Sequence, residues 1–248
     1  MILEVKDLTK EYSFETGLFS RPQKVRALDG VSFSMEEFET LGVVGESGSG
    51  KTTLAKVILG LIPPTSGGIV FDTKIISHFR KDIQIIFQNP FASLDPRMRV
   101  IDSVIEPLVI HRMAGGREAR ERAAGLLSSV GIDKGTFDRR PAQFSGGQRQ
   151  RICIARALAC EPKFLVLDEP VSSLDLTIQV MILELLKELK EQYRLTYIFI
   201  SHNLGIIRYL ADRALVMKDG RVVEQGEVSR LFASPRHEYT RQLLSAAI

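Results

Sequence analysis

The chain has 248 residues, which is enough for one large domain or two small ones and for a hydrophobic core that needs no disulfide bonds. With 44% hydrophobic and 25% charged residues, its composition is that of an ordinary globular protein. The formal net charge of +3 is too weak to indicate a nucleic-acid-binding protein.

The sequence carries no evident signal for export or membrane insertion. Its first residues, MILEVKDLTK, lack a basic segment followed by a long apolar one. The longest apolar stretches, LGVVG, FLVL and YIFI, are far shorter than the ~20 residues that a membrane helix needs. The two cysteines, Cys153 and Cys160, lie in one predicted helix without a CxxC pair, so we expect core residues and no metal or Fe–S site.

The first predicted elements are two half-buried antiparallel strands, because ILEVKDL and GVSFSM alternate apolar and polar side chains. Between them, SFETGLFSRPQK (residues 13–24) predicts a turn-rich loop. ETLGVVG then predicts a buried strand. The helix predicted by TTLAKVILGLI should end at Pro63-Pro64.

The rest of the chain changes character twice. IVFD and DIQIIF predict strands, and residues 98–160 are dominated by helical patterns with a break at Gly115-Gly116. From residue 163, buried strands alternate with helices, followed by a hairpin that turns at Asp219-Gly220 and by two short helices. Strands separated by helices predict a parallel, doubly wound α/β sheet, with the helical block as an inserted subdomain.

Residues 45–52, GESGSGKT, match the phosphate-binding pattern G-x-x-x-x-G-K-[ST], after a buried strand and at a helix start. The glycines allow a tight backbone that aims N–H groups at phosphate oxygens, and the helix N-terminus adds its dipole. Lys51 should reach the β and γ phosphates, and the Thr52 hydroxyl should bind Mg²⁺. The nucleotide-binding residues predicted here are Gly45, Glu46, Ser47, Gly48, Ser49, Gly50, Lys51, Thr52 and Thr53.

Two adjacent acids end the buried strand in LVLDE, where ligands bind in open α/β sheets. Burying such acids is costly unless they serve a purpose. Asp168 is therefore predicted to bind Mg²⁺ through a water molecule, and Glu169 to polarise the water that attacks the γ-phosphate.

Three further residues at strand ends are candidates. His202, in FISHN, is predicted to contact the γ-phosphate, and Gln88, in IIFQNP, to contact Mg²⁺ and the attacking water. Tyr12 could stack on an adenine ring, although an ordinary half-buried tyrosine explains its pattern nearly as well.

A second polar, glycine-containing stretch, FSGGQRQR (residues 144–151), precedes an apolar helical pattern and is suited to an anion or to a simple helix cap. GESGSGKT, Gln88, FSGGQRQR, FLVLDE, SSLD and FISHN occur in the order and spacing of ATP-binding cassette (ABC) ATPases. The chain resembles that family over essentially its whole length. FSGGQ resembles the family's signature motif and SSLD its D-loop.

The resemblance implies a P-loop NTPase (RecA-like) α/β fold with a mainly parallel sheet, an N-terminal antiparallel β subdomain and an inserted α-helical subdomain. Residues 1–248 would form one ATPase domain, with the signature in the subdomain at 98–160. It also implies ATP and Mg²⁺ as ligands and head-to-tail pairing of two cassettes. Each ATP would then lie between one chain's phosphate loop and residues of the other chain, namely Ser145, Gly146, Gly147, Gln148 and Asp175.

NPFASLDPRM (residues 89–98) and the C-terminal HEYTRQLLSAAI are similar to stretches of ATPases that drive oligopeptide, dipeptide and nickel importers. That resemblance implies an energy-coupling subunit at the cytoplasmic face of the inner membrane, peripheral to it. Its partners would be two permease subunits, a second ABC ATPase (a paralogue or the chain itself) and, indirectly, an extracytoplasmic solute-binding protein, with no nucleic acid. Phe91 to Arg99 would contact a coupling helix of the permease.

The chain departs from the family pattern at Asp72-Thr73-Lys74, Asn203 and Glu238. The main alternative is a non-transport ABC ATPase acting on nucleic acid or ribosomes, although such proteins usually carry two cassettes or long coiled-coil insertions. A GTPase switch lacks support because no NKxD-like stretch is present, and intact Glu169 and His202 argue against an inactive cassette. An export ATPase stays open, but NPFASLDPR favours import.

Overall fold

The computed structural model describes residues 1–14 and 23–246. These fall into two compact units: one contains the described residues up to Ile76 and from Thr196 onward, and the other contains Ser77–Leu195. The strands are β1 Leu3–Phe14, β2 Gln23–Met35, β3 Thr40–Val44, β4 Ser66–Phe71, β5 Ile83–Ile86, β6 Phe164–Asp168, β7 Thr196–Ser201, β8 Arg213–Lys218 and β9 Arg221–Glu227. The helices are α1 Lys51–Ile58, α2 Phe79–Asp82, α3 Pro90–Ser93, α4 Val100–Ile110, α5 Gly116–Ser129, α6 Gly146–Leu158, α7 Leu176–Tyr193, α8 Leu204–Leu210, α9 Val228–Ala233 and α10 Glu238–Ala246, with 3-10 turns at Lys134–Thr136 and Pro141–Gln143.

The first unit contains an antiparallel sheet of order β2-β1-β4. Alternation along β1 buries Leu3 and Val5, as the sequence pattern predicts. The β1–β2 register shifts between Val5 and Leu8, where Asp7 has a φ of 46°, and Leu8 is buried as well. The strands are longer than predicted, since the β1–β2 ladder continues through Tyr12 opposite Val25. The prediction of a loop over residues 13–24 was therefore wrong at its two ends, which pair as strand, and its residues 15–22 lie outside the described residues.

The same unit contains a parallel group in which β3 pairs with β7 on one side and β8 on the other. All five residues of β3 are buried, as expected for a strand covered on both faces. β9 returns antiparallel to β8 through a turn at Asp219 (φ 48°) and Gly220 (φ 78°), the two left-handed positions of a hairpin turn. The hairpin predicted there is confirmed.

Helix α1 ends earlier than predicted. Its last residue is Ile58, and Gly60 adopts φ 60° while its N–H donates to the Val57 carbonyl at 3.0 Å. The Leu61 N–H donates to the Lys56 carbonyl at 2.9 Å, which completes a glycine-terminated cap. The glycine, and not Pro63-Pro64, stops the helix because it alone takes the left-handed conformation without strain.

The second unit pairs β5 and β6 in parallel, with Ile86 opposite Leu167. Asp82 belongs to α2 and not to the strand predicted for DIQIIF, because its carboxylate accepts the N–H groups of Ser77 and His78, both at 2.8 Å. Residues 98–160, all of them described, contain helices and no strand. Their status as a separate subdomain stays a prediction.

The fold class is α/β, as predicted, with mainly parallel central strands, an antiparallel N-terminal sheet and a block of helices. Among the described residues, none of the helices combines the length and the apolar character that a membrane span requires.

Candidate functional site

The loop between β3 and α1 is tightly wound and pressed against its neighbours. Gly45, Gly48 and Gly50 have φ values of 158°, 84° and 104°. A Cβ atom on Gly45 would lie 2.2 Å from the Met217 carbonyl oxygen, and one on Gly50 would lie 2.4 Å from that of Ala27. Only glycine fits at these two positions, so the loop's path is fixed by backbone contacts with β8 and β2.

A lysine and a helix N-terminus converge on this loop. Lys51 is the first residue of α1 and is 6% exposed, with Nζ donating to the carbonyls of Gly45 and Glu46, both at 2.7 Å. Its Nζ also lies 3.4 Å from the Ser49 hydroxyl. Gly50 provides no side-chain cap for α1, so the N-terminal dipole of the helix faces the loop together with the ammonium group. This arrangement suits a multiply charged anion.

A hairpin turn supports the loop from outside. The Ser49 carbonyl accepts the Gly220 N–H at 3.1 Å, and the Gly220 carbonyl accepts the Asp29 N–H at 2.9 Å. The Asp29 carboxylate accepts hydrogen bonds from the guanidinium groups of Arg26 and Arg221. These bonds lower the pKa of Asp29. The sequence predicted the turn at Gly220, but no pattern indicated that this turn contacts the loop or that Asp29 supports it.

His202 leaves the sheet beside the phosphate loop. In the parallel β3–β7 ladder Val44 lies opposite Ser201, so the residues that follow, Gly45 and His202, emerge at the same edge. His202 is exposed, and Asn203 behind it caps α8 by accepting the Gly205 N–H at 2.8 Å. Asparagine caps helices as well as aspartate does, which explains this departure from the family pattern.

Tyr12 lies one strand away from the loop. It pairs with Val25 on β2, the strand whose Ala27 carbonyl faces Gly50. The Lys10 ammonium lies 5.3 Å from the centroid of the Tyr12 ring, which places a cation over this aromatic face. Stacking on an adenine ring stays a prediction.

The second unit gathers the acidic candidates. Asp168 ends β6 and is 6% exposed, and Glu169 follows with a left-handed φ of 48°. Gln88 lies two residues beyond β5, and its Nε2 donates to Glu169 Oε2 at 3.3 Å. The left-handed backbone of Glu169 costs on the order of 1–3 kcal/mol for a non-glycine residue, and such strained residues are typical of functional sites.

The signature stretch forms a capped helix start. Ser145 Oγ accepts the Gln148 N–H at 3.3 Å, and Gln148 Oε1 accepts the Ser145 N–H at 2.9 Å, so the helix-cap interpretation holds. The Ser145 O–H is the donor in neither bond. A Cβ atom on Gly147 would lie 2.5 Å from Ile178 Cγ2, so α6 begins in close contact with α7, which Asp175 caps through the Ile178 N–H at 3.0 Å.

Two cysteines in the second unit have no reactive character. Burial raises the pKa of Cys153 and of Cys160 to about 11, which keeps both thiols protonated at neutral pH. The described residues contain no group of three or more His, Cys, Asp or Glu that could hold a metal ion.

The structure thus joins the predicted site residues within each unit: residues 45–53 with His202 in the first, and Gln88 with Asp168 and Glu169 in the second. One contact that the sequence patterns missed is from the Glu46 N–H to the Tyr239 hydroxyl at 3.0 Å. The two residues are 193 positions apart, so no local pattern connects them.

Known proteins resemble this chain closely. A family profile described as ABC transporter matches residues 28–172. The chain is 45% identical to the di/tripeptide transport ATP-binding protein DppF of Pseudomonas aeruginosa (strain UCBPP-PA14), over 99% of this chain and 78% of that protein. It is also 45% identical to the oligopeptide transport ATP-binding protein AppF of Bacillus subtilis (strain 168), over the same shares. A dimeric post-hydrolysis structure of an ATP-binding cassette bound to ADP and Pi has a TM-score of 0.77 and 30% identity, covering 92% of this chain and 99% of that one.

Proposed function

The chain belongs to the ABC transporter family, and from this premise we propose that it is the ATP-hydrolysing, energy-coupling subunit of an importer for peptides. The fold of that family binds nucleotides. The peptide-transport names of the relatives favour import over the non-transport alternative. Nickel or a metal chelate as cargo stays a prediction from the resemblance of NPFASLDPRM.

The geometry of the phosphate loop is the observation that carries the proposal. Two glycines against backbone carbonyls fix its path, and Lys51 and the uncapped start of α1 face it. A triphosphate bound there would offer the Lys51 ammonium ionised phosphate oxygens, and hydrogen bonds between two ionised groups are short and strong.

We propose that Thr52, Gln88 and Asp168 hold Mg²⁺. Hydroxyl, amide and carboxylate oxygens are the hard ligands that this ion accepts, and one carboxylate suffices where phosphates supply further oxygens. The ion would neutralise negative charge on the phosphate oxygens. Glu169 accepts a hydrogen bond from Gln88, which orients its carboxylate to take the proton of an attacking water.

A second cassette completes the proposed site. Ser145 is exposed at the start of α6, and Leu176, next to Asp175, is 76% exposed. A surface serine at a helix N-terminus can bind phosphate, and the exposed leucine next to Asp175 is available for contact with a second chain. The similarity to a dimeric cassette supports pairing with a paralogue or a second copy of this chain, and Ser145 and Asp175 are the residues we propose for the contact.

The remaining partners follow from the importer assignment. We propose two membrane permease subunits, an extracytoplasmic solute-binding protein that acts indirectly, and a peripheral position at the cytoplasmic face of the membrane. The segment from Phe91 to Arg99 is the proposed contact with the permease. Its first turn is fixed to α6, because Arg156 donates to the Ser93 carbonyl and the Cys153 thiol lies 3.9 Å from the Pro90 carbonyl. Movement of the permease at this segment would therefore reach the signature helix.

Uptake of a labelled dipeptide by cells tests the proposal. Cells that carry Lys51→Ala in place of the natural chain should lose uptake, because the phosphate loop loses its cation. Lys56→Ala, an exposed lysine on the same helix, is the matched control and should support uptake. Normal uptake in Lys51→Ala cells that contain the protein at its usual level would contradict the proposal.

A further inference from the structure

The C-terminal helix α10 places a tyrosine against the phosphate loop. Tyr239 is 4% exposed, and its hydroxyl accepts the Glu46 N–H at 3.0 Å. Glu46 is the second residue of the loop, and its carbonyl accepts a bond from Lys51 Nζ at 2.7 Å. One short stretch of backbone is therefore held from two sides, by the phenol at its N–H and by the lysine at its carbonyl.

The tyrosine itself is firmly anchored. The Glu224 carboxylate on β9 accepts the N–H groups of Arg236 at 2.8 Å and His237 at 3.0 Å, which fixes the turn before α10. The Tyr239 N–H donates to His237 Nδ1 at 3.1 Å. The Lys218 ammonium lies 4.7 Å from the centroid of the Tyr239 ring.

The charge state of the phenol suits this contact. Burial raises the pKa of Tyr239, and the nearby charges of Glu46 and Asp219 raise it further, against the opposing effect of the Glu46 N–H. The hydroxyl is therefore neutral at physiological pH and places no negative charge beside a loop that faces phosphate.

We propose that Tyr239 is a positioning residue for the phosphate loop, acting through the Glu46 N–H on the carbonyl groups that hold Lys51. The C-terminal helix thereby sets the geometry in which the loop meets a nucleotide. The consequence for ATP binding rests on the proposed function, whereas the effect on the loop itself does not.

The test removes a single oxygen atom. Tyr239→Phe keeps the ring and its contact with Lys218 and loses only the bond to Glu46. We expect hydrogen–deuterium exchange in the peptide covering residues 43–50 to accelerate, and the Kd and KM for ATP to rise about three- to tenfold with kcat changed less than about twofold. Tyr197→Phe removes another buried phenol from the same unit and should change neither the exchange nor the KM for ATP.

Each outcome is decisive. Faster exchange with a raised KM supports the inference. Unchanged exchange overturns it, and so does a lower Tm with an unaltered Kd for ATP, because that pattern marks a purely structural tyrosine. If the wild-type chain fails to bind ATP, the proposed function falls, and the exchange measurement still decides whether Tyr239 controls the loop.

Discussion

Gln88 Nε2 donates to Glu169 Oε2 at 3.3 Å, across two parallel strands that end in register. The pair joins residues that are 81 positions apart in the sequence. Glu169 has a left-handed backbone, so its carboxylate depends on neighbours for its direction. The amide of Gln88 supplies one such neighbour.

Replacing Gln88 should therefore impair catalysis more than binding. We expect Gln88→Ala to lower kcat for ATP about tenfold and to change KM by less than about threefold, because a misdirected base costs rate while Lys51, Thr52 and Asp168 keep the proposed contacts with the phosphates and Mg²⁺. Steady-state ATPase kinetics measure both constants. Gln84→Ala, which removes an amide that donates to the nearby Arg80 carbonyl, should behave as wild type. An equal loss of kcat in the two variants would contradict a specific role of Gln88 in orienting Glu169.

The phosphate loop should not tolerate a methyl group at Gly50. Its φ of 104° and the Ala27 carbonyl, 2.4 Å from a built Cβ, together force the loop or β2 to move. We expect Gly50→Ala to lower the Tm in the absence of nucleotide by several degrees more than Gly30→Ala, where φ is 69° but no atom lies within 4 Å. Both substitutions strain a backbone of positive φ, but only the one at Gly50 also produces a steric clash. The difference between the two Tm values therefore measures the effect of the clash. A smaller effect at Gly50 would mean that the loop is free to shift.

The same glycine-to-alanine change should have opposite signs in two helices. Gly125→Ala, inside α5 with open space around it, should raise the free energy of unfolding by about 0.5–1 kcal/mol through helix propensity. Gly147→Ala should lower it, because the new methyl group meets Ile178 Cγ2 at 2.5 Å. Denaturant unfolding gives both values.

A second substitution tests the cause at Gly147. If the clash with Ile178 is responsible, adding Ile178→Ala to Gly147→Ala should cost less than the sum of the two single changes. If the losses of unfolding free energy from the two single changes simply add, the clash with Ile178 is not the cause of the effect at Gly147.

The anchor of α10 should weaken in acid. Burial raises the pKa of Glu224, but the adjacent Thr240 side chain and the hydrogen bonds from the N–H groups of Arg236 and His237 outweigh it, so the pKa lies below its ordinary value of 4.5. A lowered pKa in the folded state stabilises the protein above pH 4.5, and this contribution is lost as pH falls through the folded-state value.

Glu224→Gln isolates that contribution. The wild type should exceed the variant in Tm at pH 7, and the difference should shrink as pH falls below about 4.5. Thermal unfolding across this pH range measures it. A difference that stays constant with pH would mean that the charge of Glu224 is not involved.

Local patterns were sufficient for much of the fold. The motif GESGSGKT predicted both the loop and the start of α1, because glycine conformations and helix starts depend on near neighbours. The turn at Asp219-Gly220 followed from the same logic. Helix α1 is shorter than the prolines predict, because the backbone at Gly60 and Leu61 satisfies the final carbonyls of the helix before Pro63-Pro64 is reached.

The contacts that hold the site depend on distant segments. The contacts of Tyr239 with Glu46 and of Gly220 with Ser49 form because the fold brings distant segments together, and no spacing in the sequence indicates them. The continuation of the β1–β2 ladder was also missed, because its polar residues are exposed at a sheet end and resemble a loop in composition. Such features arise only when the chain has folded.

The hydrolysis of ATP by the Glu169→Gln variant tests the central claim most directly. Glu188→Gln, the same change at an exposed position of α7, is the matched control. We predict that Glu169→Gln binds ATP with wild-type affinity and hydrolyses it at least about a hundredfold more slowly, while the control keeps the wild-type rate. Hydrolysis by Glu169→Gln at the wild-type rate would contradict the account.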